Sequence, residues 1–188
     1  MSKGKLVFFA IVAAVGLTVV AVAAAHGVVR IRGTNQSETL TGTPGADLIL
    51  ARGGDDTVNA GDGNDRAHGQ RGNDTVNGDG GNDRLWGGVG NDTVNGGEGN
   101  DVLRGRRGND ALDGGNGNDR MWGGHGADTQ QGGAGDDRLH ALARDRMVDN
   151  LDCGPGNDTV WLNANESDVA VNCEVTRTVT TTRAEDDS

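Results

Sequence analysis

The sequence predicts an all-β fold, a parallel β-roll solenoid of about six 18-residue coils closed by a C-terminal disulfide cap. Three observations lead to this prediction. A motif recurs every nine residues, each copy carries a glycine-rich turn that is too frequent to allow a helix, and two kinds of repeat alternate along the chain.

The nine-residue repeat is clearest between Gly78 and Arg120, where an aspartate preceded by Gly-Asn returns in every copy. Glu38 stands in the same register, and the spacing breaks after Asp137. An apolar residue follows two positions after each aspartate, with Gln130 as the exception. The aspartates in register are Asp47, Asp56, Asp65, Asp74, Asp83, Asp92, Asp101, Asp110, Asp119, Asp128 and Asp137.

Repeats eighteen residues apart resemble one another more than adjacent repeats do. One series reads Thr57-Val58-Asn59, Thr75-Val76-Asn77 and Thr93-Val94-Asn95, and the other includes Arg84-Leu85-Trp86 and Arg120-Met121-Trp122. Two turns and two strands therefore form one coil with two different faces. Glycine precedes each Asn-Asp because the turn needs a backbone conformation that is costly for residues with a Cβ. A short leading strand is expected at Val28–Arg32.

The pattern G-G-x-G-x-D-x-U-x resembles the calcium-binding nonapeptide repeat of the repeats-in-toxin (RTX, haemolysin-type) family over about residues 33–141. The resemblance implies that each ion lies between the turns of neighbouring coils, along two edges of the roll. One edge would use Asp47, Asp65, Asp83, Asp101, Asp119 and Asp137. The other would use Glu38, Asp56, Asp74, Asp92, Asp110 and Asp128. Five gaps on each edge give up to about ten calcium ions.

The chemistry of these turns favours Ca²⁺ over other metals. Carboxylates and glycine-turn carbonyls are hard oxygen ligands, and Ca²⁺ accepts six to eight of them in irregular geometry, whereas Mg²⁺ needs a stricter octahedron. Stacked carboxylates about 5 Å apart repel by roughly 3 kcal/mol at an effective dielectric constant of 20, and a divalent cation between them reverses that sign. The sequence has no His/Cys cluster for zinc and no EF-hand loop.

The turns of the two edges differ in charge. The acidic edge, which carries Asp47 to Asp137, has Asp62, Asp79, Glu98 and Asn116 in its turns. The arginine edge, which carries Glu38 to Asp128, has Arg52, Arg71, Arg106, Arg107 and His125. We therefore expect the acidic edge to bind calcium more tightly.

Composition excludes several classes of function. The 188-residue chain has a net charge of −11, no Tyr, and both Phe residues within its first 25 positions, so an ordinary packed core is not available. Such an acidic chain should repel nucleic acid and attract cations. No stretch is long enough for a catalytic domain, so no catalytic residue and no enzyme activity are predicted.

The N-terminus has the pattern of a secretory signal peptide at residues 1–25, with Lys3 and Lys5 before an apolar run that ends in Ala23-Ala24-Ala25. An uncleaved membrane anchor is the alternative, because about twenty apolar residues can span a bilayer. Cleavage predicts a secreted bacterial protein, and a membrane contact follows only if the segment remains. The β-roll domain would then occupy residues 26–141.

We expect residues 142–176 to form a cap and residues 177–188 to form a flexible tail. The cap is similar to a C-terminal motif found after such repeats in other exported bacterial proteins. Cys153 and Cys173 suggest one disulfide in an exported chain, and two free thiols are the alternative. A cap would cover strand edges that an open solenoid end exposes.

The function predicted from the sequence is calcium binding coupled to folding outside the cell, in a structural or surface role. The alternative is an adhesion or matrix module that binds a polysaccharide, an anionic polymer or a protein through the face of Arg84, Trp86, Arg120 and Trp122. These side chains have an open second interpretation, in which they lie under the cap or only offset the local acidic charge.

Overall fold

The structure, a computed structural model, describes residues 18–20, 28–143 and 145–180. Within these ranges the chain forms β-strands and no helix, which confirms the predicted all-β class. The strands divide into two sheets, here called the odd sheet and the even sheet after their strand numbers in chain order.

The odd sheet contains β1 (Thr18–Val20), β3 (Thr39–Thr41), β5 (Thr57–Asn59), β7 (Thr75–Gly80), β9 (Thr93–Glu98), β11 (Ala111–Asn116), β13 (Thr129–Ala134), β15 (Asn150–Asp152) and β17 (Val169–Val171). The even sheet contains β2 (Val29–Arg32), β4 (Asp47–Gly53), β6 (Arg66–Arg71), β8 (Arg84–Val89), β10 (Val102–Arg107), β12 (Arg120–His125), β14 (Arg138–Ala141), β16 (Thr159–Asn163) and β18 (Val175–Val179).

Successive strands alternate between the two sheets, and every pairing within a sheet is parallel. One even strand and the next odd strand thus make one coil, which is the architecture of a parallel β-roll. The roll has about eight coils between β2 and β17, two more than the repeat count predicts, because the same winding continues beyond residue 141.

The register confirms the predicted coil length. Leu103 pairs with Leu85 on one side and Met121 on the other, each eighteen residues away, and Val94 pairs with Val76 in the opposite sheet. Parallel pairing without slippage places the middle residue of each strand in one inward column. These residues form the core, and those that are fully buried include Leu40, Ile49, Val58, Ala67, Val76, Leu85, Val94, Leu103, Met121, Leu139 and Val160.

The eight central strands, β6 to β13, are longer than the three residues expected, since each spans six. Pairing continues from Arg104–Trp122 past the first turn glycine to Arg106–Gly124, so half of each predicted turn also belongs to the ladder. The glycine before Asn-Asp has the expected positive φ, for example 128° at Gly81 and 124° at Gly99. This confirms its conformational role.

The C-terminal region continues both sheets with altered coil lengths. Asn150 pairs with Thr129, twenty-one residues earlier, and β18 extends to Val179, three residues into the predicted tail. Cys153 and Cys173 form the predicted disulfide, with their Cα atoms 5.2 Å apart. The two-thiol alternative is therefore wrong.

At the N-terminal end, the expected leading strand is present as β2, which stands last in the even sheet and pairs with β4. The predicted signal peptide lies outside the described residues except for Thr18–Val20, which pairs with Thr39–Thr41. No helix with the length and apolar character of a membrane span occurs in the described part of the chain.

Candidate metal sites at the two edges of the roll

The aspartates of the repeat form two columns, one along each edge, as the spacing predicts. Every one of the eleven is buried, with a relative exposure between 0% and 2%, and Glu38 is exposed by 5%. Ionisable carboxyl groups are rarely buried to this extent unless they are paired or coordinate a metal. The burial is therefore the first sign of a bound cation.

One oxygen of each carboxylate from Asp56 to Asp137 accepts a hydrogen bond from the backbone of the preceding coil. Asp83 Oδ1 accepts a hydrogen bond of 2.7 Å from the N–H of Asp65, and Asp101 Oδ1 accepts one of 2.7 Å from Asp83. The arginine edge repeats the arrangement, since the Asp92 carboxylate accepts a 2.8 Å bond from the N–H of Asp74. Hydrogen bonds to an ionised acceptor are strong, so each carboxylate is held in the gap between two coils.

The second oxygen of these carboxylates has no hydrogen-bond partner within the described residues. This is true of Oδ2 in ten of the eleven aspartates, and the exception is Asp47, whose two oxygens accept bonds from Thr43. A buried, unpaired polar atom costs about 1–3 kcal/mol, and more when it is charged. The ten orphaned oxygens are those of Asp56, Asp65, Asp74, Asp83, Asp92, Asp101, Asp110, Asp119, Asp128 and Asp137.

In the turns that precede Asp74 to Asp137, the first glycine leaves room beside the orphaned oxygen, whereas Ala51 and Ala60 stand at this position before Asp56 and Asp65. A Cβ built on Gly96 would lie 2.5 Å from Asp101 Oδ2, and a Cβ on Gly132 would lie 2.6 Å from Asp137 Oδ2. Any other residue would therefore occupy the space that the carboxylate faces. The glycine keeps a small, oxygen-lined cradle open and brings backbone carbonyls close to it.

Burial raises the pKa of these carboxyl groups. The pKa of Asp110 rises to about 8, mainly through desolvation and further through repulsion from Asp128 and Asp92. The pKa of Asp83 rises to about 6, again through desolvation first and then through Asp79. Backbone hydrogen bonds oppose the shift but do not cancel it. Loss of solvent is thus a larger cost of ionising these carboxyl groups than the repulsion between stacked charges. A bound cation would offset both costs.

The donor set fits calcium. The described residues contain no group of three or more His, Cys, Asp or Glu side chains arranged for a metal, so side chains alone do not complete a site. Each gap instead offers carboxylate oxygens together with the carbonyls of glycine turns. An all-oxygen, irregular set of this kind suits Ca²⁺ better than Zn²⁺ or Mg²⁺.

The columns extend further than the sequence analysis assigns. Asp149 Oδ1 accepts a 2.8 Å bond from Asp128, and Asp158 Oδ1 accepts a 2.7 Å bond from Asp137. Both new members are buried. A three-residue insertion hides them, because each lies twenty-one residues from its predecessor. Their nine-residue separation from each other is the signal that could have revealed them.

The asparagine that precedes each aspartate from Asp65 to Asp119 belongs to a second chain of hydrogen bonds. Asn64 Oδ1 accepts a 2.7 Å bond from the N–H of Asn82, and Asn82 Oδ1 accepts a 2.7 Å bond from Asn100. These bonds run in the opposite direction from those of the aspartates. The pair Asn-Asp therefore joins each turn to both neighbouring coils, a role that the spacing alone does not reveal.

The sequence matches the family described as RTX calcium-binding nonapeptide repeat (4 copies) at residues 32–67, 60–94, 68–103, 95–130 and 122–143. The chain belongs to this family. RTX nonapeptide repeats bind calcium, in agreement with the buried carboxylates and the glycine cradles. Among curated proteins, none matches the chain at a significant level of similarity.

The outward face of the even sheet of this RTX protein carries a stack of rings. His68 stacks on Trp86 with ring centroids 4.0 Å apart, and Trp122 stacks on His140 at 4.7 Å. The Arg104 guanidinium lies 5.0 Å from the Trp122 ring centroid on this face. The sequence analysis assigns Trp86 and Trp122 to one face but does not include Trp161, which stacks on His140 at 4.4 Å.

The stack limits how the face could bind a partner. Its rings lie on adjacent strands with interplanar angles of 3° to 8°, so neighbouring rings cover one another's faces. Trp122 is covered by Arg104 and His140. A sugar that packs flat against an aromatic face has little access to these tryptophans. A partner at Arg84, Trp86, Arg120 and Trp122 stays a prediction.

Proposed function

We propose that this RTX protein is exported through its N-terminal segment and folds into the β-roll when it binds calcium outside the cell, where it has a structural or surface role. The observation that carries the proposal is the row of buried carboxylate oxygens without hydrogen-bond partners along each edge. Proteins of this repeat family are typically structural calcium binders. No catalytic role is assigned to any residue.

At each gap between coils, side chains and backbone groups would both bind the ion. Asp47, Asp65, Asp83, Asp101, Asp119 and Asp137 on the acidic edge, and Asp56, Asp74, Asp92, Asp110 and Asp128 on the arginine edge, would supply the carboxylate ligands. The first glycine of each turn would admit the ion and expose carbonyls. Up to about ten ions would bind, which would compensate the burial of the carboxylates.

Folding would depend on calcium because the core is thin. Each coil buries only two small side chains in the columns that run through Val94 and Leu103, while about 1–2 kcal/mol of backbone entropy is lost per ordered residue. Metal binding contributes directly to folding when the site does not exist in the unfolded chain. Calcium is scarce inside cells, so the acidic chain would stay unfolded until export.

The disulfide supports the proposed compartment and the proposed cap. Disulfides persist in oxidising, extracytoplasmic environments. The Cys153–Cys173 bond joins the ends of the last coils, and closing a loop of this size stabilises by roughly 3 kcal/mol on the loop-closure account. Because it is covalent, it would hold the C-terminal end together before calcium arrives.

Circular dichroism and small-angle scattering on the purified chain test the proposal. Titration with calcium should convert an expanded, coil-like chain into a compact β-rich one, and a chelator should reverse the change. Magnesium at equal ionic strength is the matched control and should produce little β-structure. A compact, β-rich chain in metal-free buffer near pH 8 would show that the proposal is wrong.

Export is tested separately. Fusion of residues 1–30 to a reporter enzyme should direct it out of a bacterial cell, and mass spectrometry of the secreted chain should find its N-terminus near His26. Retention of the uncleaved chain in the membrane fraction would favour the anchor instead.

A further inference from the structure

A positively charged groove lies where the arginine edge meets the even sheet. It has a volume of about 630 Å³ and is lined by residues of four successive coils, among them Arg52, Arg71, Arg106 and Arg107. His68 and Trp86 form part of its wall. Ligand pockets in proteins commonly measure about 300–1,000 Å³, so the groove has room for a small ligand or a short polymer segment.

The arginines are arranged in two rows along the roll. Arg52 pairs with Gln70, Gln70 with Gly88, and Gly88 with Arg106, which places the first and last three strands apart. Arg71 and Arg107 both pair with Val89. At a strand spacing of about 4.8 Å, the rows span roughly 14 Å and 10 Å. The charges therefore form a strip and not a single point.

No carboxylate neutralises this strip. The groove's lining contains no Asp or Glu, and within the described residues Arg52, Arg71, Arg106 and Arg107 form no ion pair. Arg106 Nε is buried without a hydrogen-bond partner in the described part of the chain. Burial and the nearby charge of Arg106 lower the pKa of His68 to about 4, so the positive charge at neutral pH comes from the arginines. A strip of this kind in a chain of net charge −11 is unexpected for a purely structural surface.

Two of these arginines adopt a backbone conformation that suits glycine. Arg52 has φ 86° and Arg106 has φ 89°, as Gln70 of the groove's lining has φ 84°, at a turn position that Gly88 and Gly124 occupy in other coils with φ 132° and 105°. The left-handed region costs a residue with a Cβ about 1–2 kcal/mol. The chain thus carries arginine where glycine would be more stable, which indicates a use for the side chain beyond folding.

We propose that this groove binds an acidic saccharide, a short segment of a polysaccharide that bears carboxylate or sulfate groups. Guanidinium groups bind such planar or tetrahedral oxyanions through paired N–H donors. The identification of the ligand rests on the proposed extracellular function, because acidic polysaccharides are abundant outside cells. A nucleic acid is disfavoured, because the rings of the stack cover one another and leave no platform for bases.

The site differs from the strand face of Arg84 and Arg120. Those side chains belong to β8 and β12 and do not line the groove. This separation provides a matched control of equal charge change. The test pair is Arg52→Gly with Arg106→Gly, which relieves backbone strain and preserves or improves folding. The control pair is Arg84→Gln with Arg120→Gln.

Isothermal titration calorimetry on the full chain in calcium-containing buffer would use sucrose octasulfate as the sulfated probe and trigalacturonate as the carboxylated one. Calcium is kept in excess over both probes so that the roll stays loaded. We expect saturable binding of at least one probe, a Kd raised about tenfold or more in the groove pair, and a change below about threefold in the control pair. Which probe binds identifies the oxyanion.

Three results would overturn the inference: no binding of either probe, an equal loss in both pairs, or binding of a short oligodeoxythymidine as tight as that of the saccharides. Circular dichroism on the same samples separates this inference from the proposed function. A roll that binds the probe but forms without calcium refutes the proposed function alone, and a calcium-folded roll that binds no probe refutes the groove alone.

Discussion

The two edges of the roll have the same carboxylate geometry but different surroundings. On both edges, from Asp74 to Asp137, one oxygen of each aspartate accepts a hydrogen bond from the preceding coil, and the other has no partner within the described residues and lies beside a glycine. The turns of the acidic edge add Asp62, Asp79 and Glu98 next to the columns, whereas the turns of the arginine edge direct their charges into a groove. The fold thus repeats one metal-site geometry and leaves turn residues free to differ.

The pKa values of the two columns overlap, since they rise to about 7 at Asp65 and Asp119 on the acidic edge and to about 6 at Asp128 on the arginine edge. The pKa of Asp110 and Asp92 on the arginine edge rises to about 8 and about 7, with desolvation as the first cause. Desolvation also comes first at Asp83 and Asp101 on the acidic edge, whose pKa values rise to about 6. Protons therefore compete more strongly with calcium at Asp110 and Asp92. The expectation of tighter calcium binding on the acidic edge therefore rests on the carboxylates that its turns add, and it stays a prediction.

Removal of a pair of carboxylates has the largest expected effect. The variant D83N D101N should raise the calcium concentration at the folding midpoint by about tenfold or more, because it removes charged ligands from adjoining gaps. The variant D74N D92N makes the same change on the arginine edge and should raise the calcium concentration at the midpoint by a smaller factor. Circular dichroism at fixed pH measures both midpoints.

Site-resolved titration by nuclear magnetic resonance adds the order of filling. Resonances of Asp83 and Asp101 should respond at lower calcium than those of Asp74 and Asp110. Filling of the arginine edge first would contradict the comparison.

The metal-free chain should become more stable as the pH falls. The folded pKa of Asp56 and Asp65 is about 7 against an ordinary value of 3.8, so the folded state binds more protons than the unfolded state between about pH 4 and pH 7. By linkage, the stability that protonation provides is present near pH 4 and is lost as the pH rises through about 7.

Chelator-treated protein should therefore gain β-structure between pH 8 and pH 4.5, as followed by circular dichroism. With calcium present the trend reverses, because protons then displace a ligand. A metal-free chain whose β-content is independent of pH over this range would refute the assigned shifts.

A substitution in the core, which both edges share, should change the stability of the fold without changing the calcium sites. Gln130 occupies the inward position that Leu112 and Leu151 hold in adjacent strands, and its Oε1 has no partner in the described part of the chain. Gln130 Nε2 donates a 2.8 Å hydrogen bond to the His140 carbonyl, and Gln130→Leu removes it, so the gain in the free energy of unfolding from apolar burial and relief of the unpaired Oε1 should be about 1 kcal/mol. Urea denaturation in calcium would measure this. An unchanged order of calcium filling is expected, and a stability loss would mean that the amide is structurally required.

Relief of backbone strain has the smallest expected effect. Asp79 on the acidic edge has φ 70° and Arg106 on the arginine edge has φ 89°. Glycine at either position should add about 1 kcal/mol of stability. Asp79→Gly should also raise the calcium midpoint, because it removes a carboxylate near Asp83, whereas Arg106→Gly should not. Equal midpoints in the two variants would show that turn charge does not distinguish the edges.

The period of the sequence determined most of the fold. A nine-residue repeat with two alternating strand types, as in Thr75-Val76-Asn77 and Arg84-Leu85-Trp86, specifies an eighteen-residue coil, two sheets and two columns of aspartates. This works because parallel in-register pairing converts spacing along the chain directly into rows in space. The disulfide was predicted because the chain has two cysteines and the pattern of an exported protein.

Only the tertiary structure decided which atoms of those rows are satisfied. Whether an aspartate's oxygen finds a donor depends on the backbone N–H of another coil, as at Asp83 and Asp65, and no local pattern encodes that distance. The continuation through Asp149 and Asp158 depends on the same contacts, since the sheets absorb a three-residue insertion. The groove, likewise, exists because winding places Arg52 and Arg106, fifty-four positions apart, in one row.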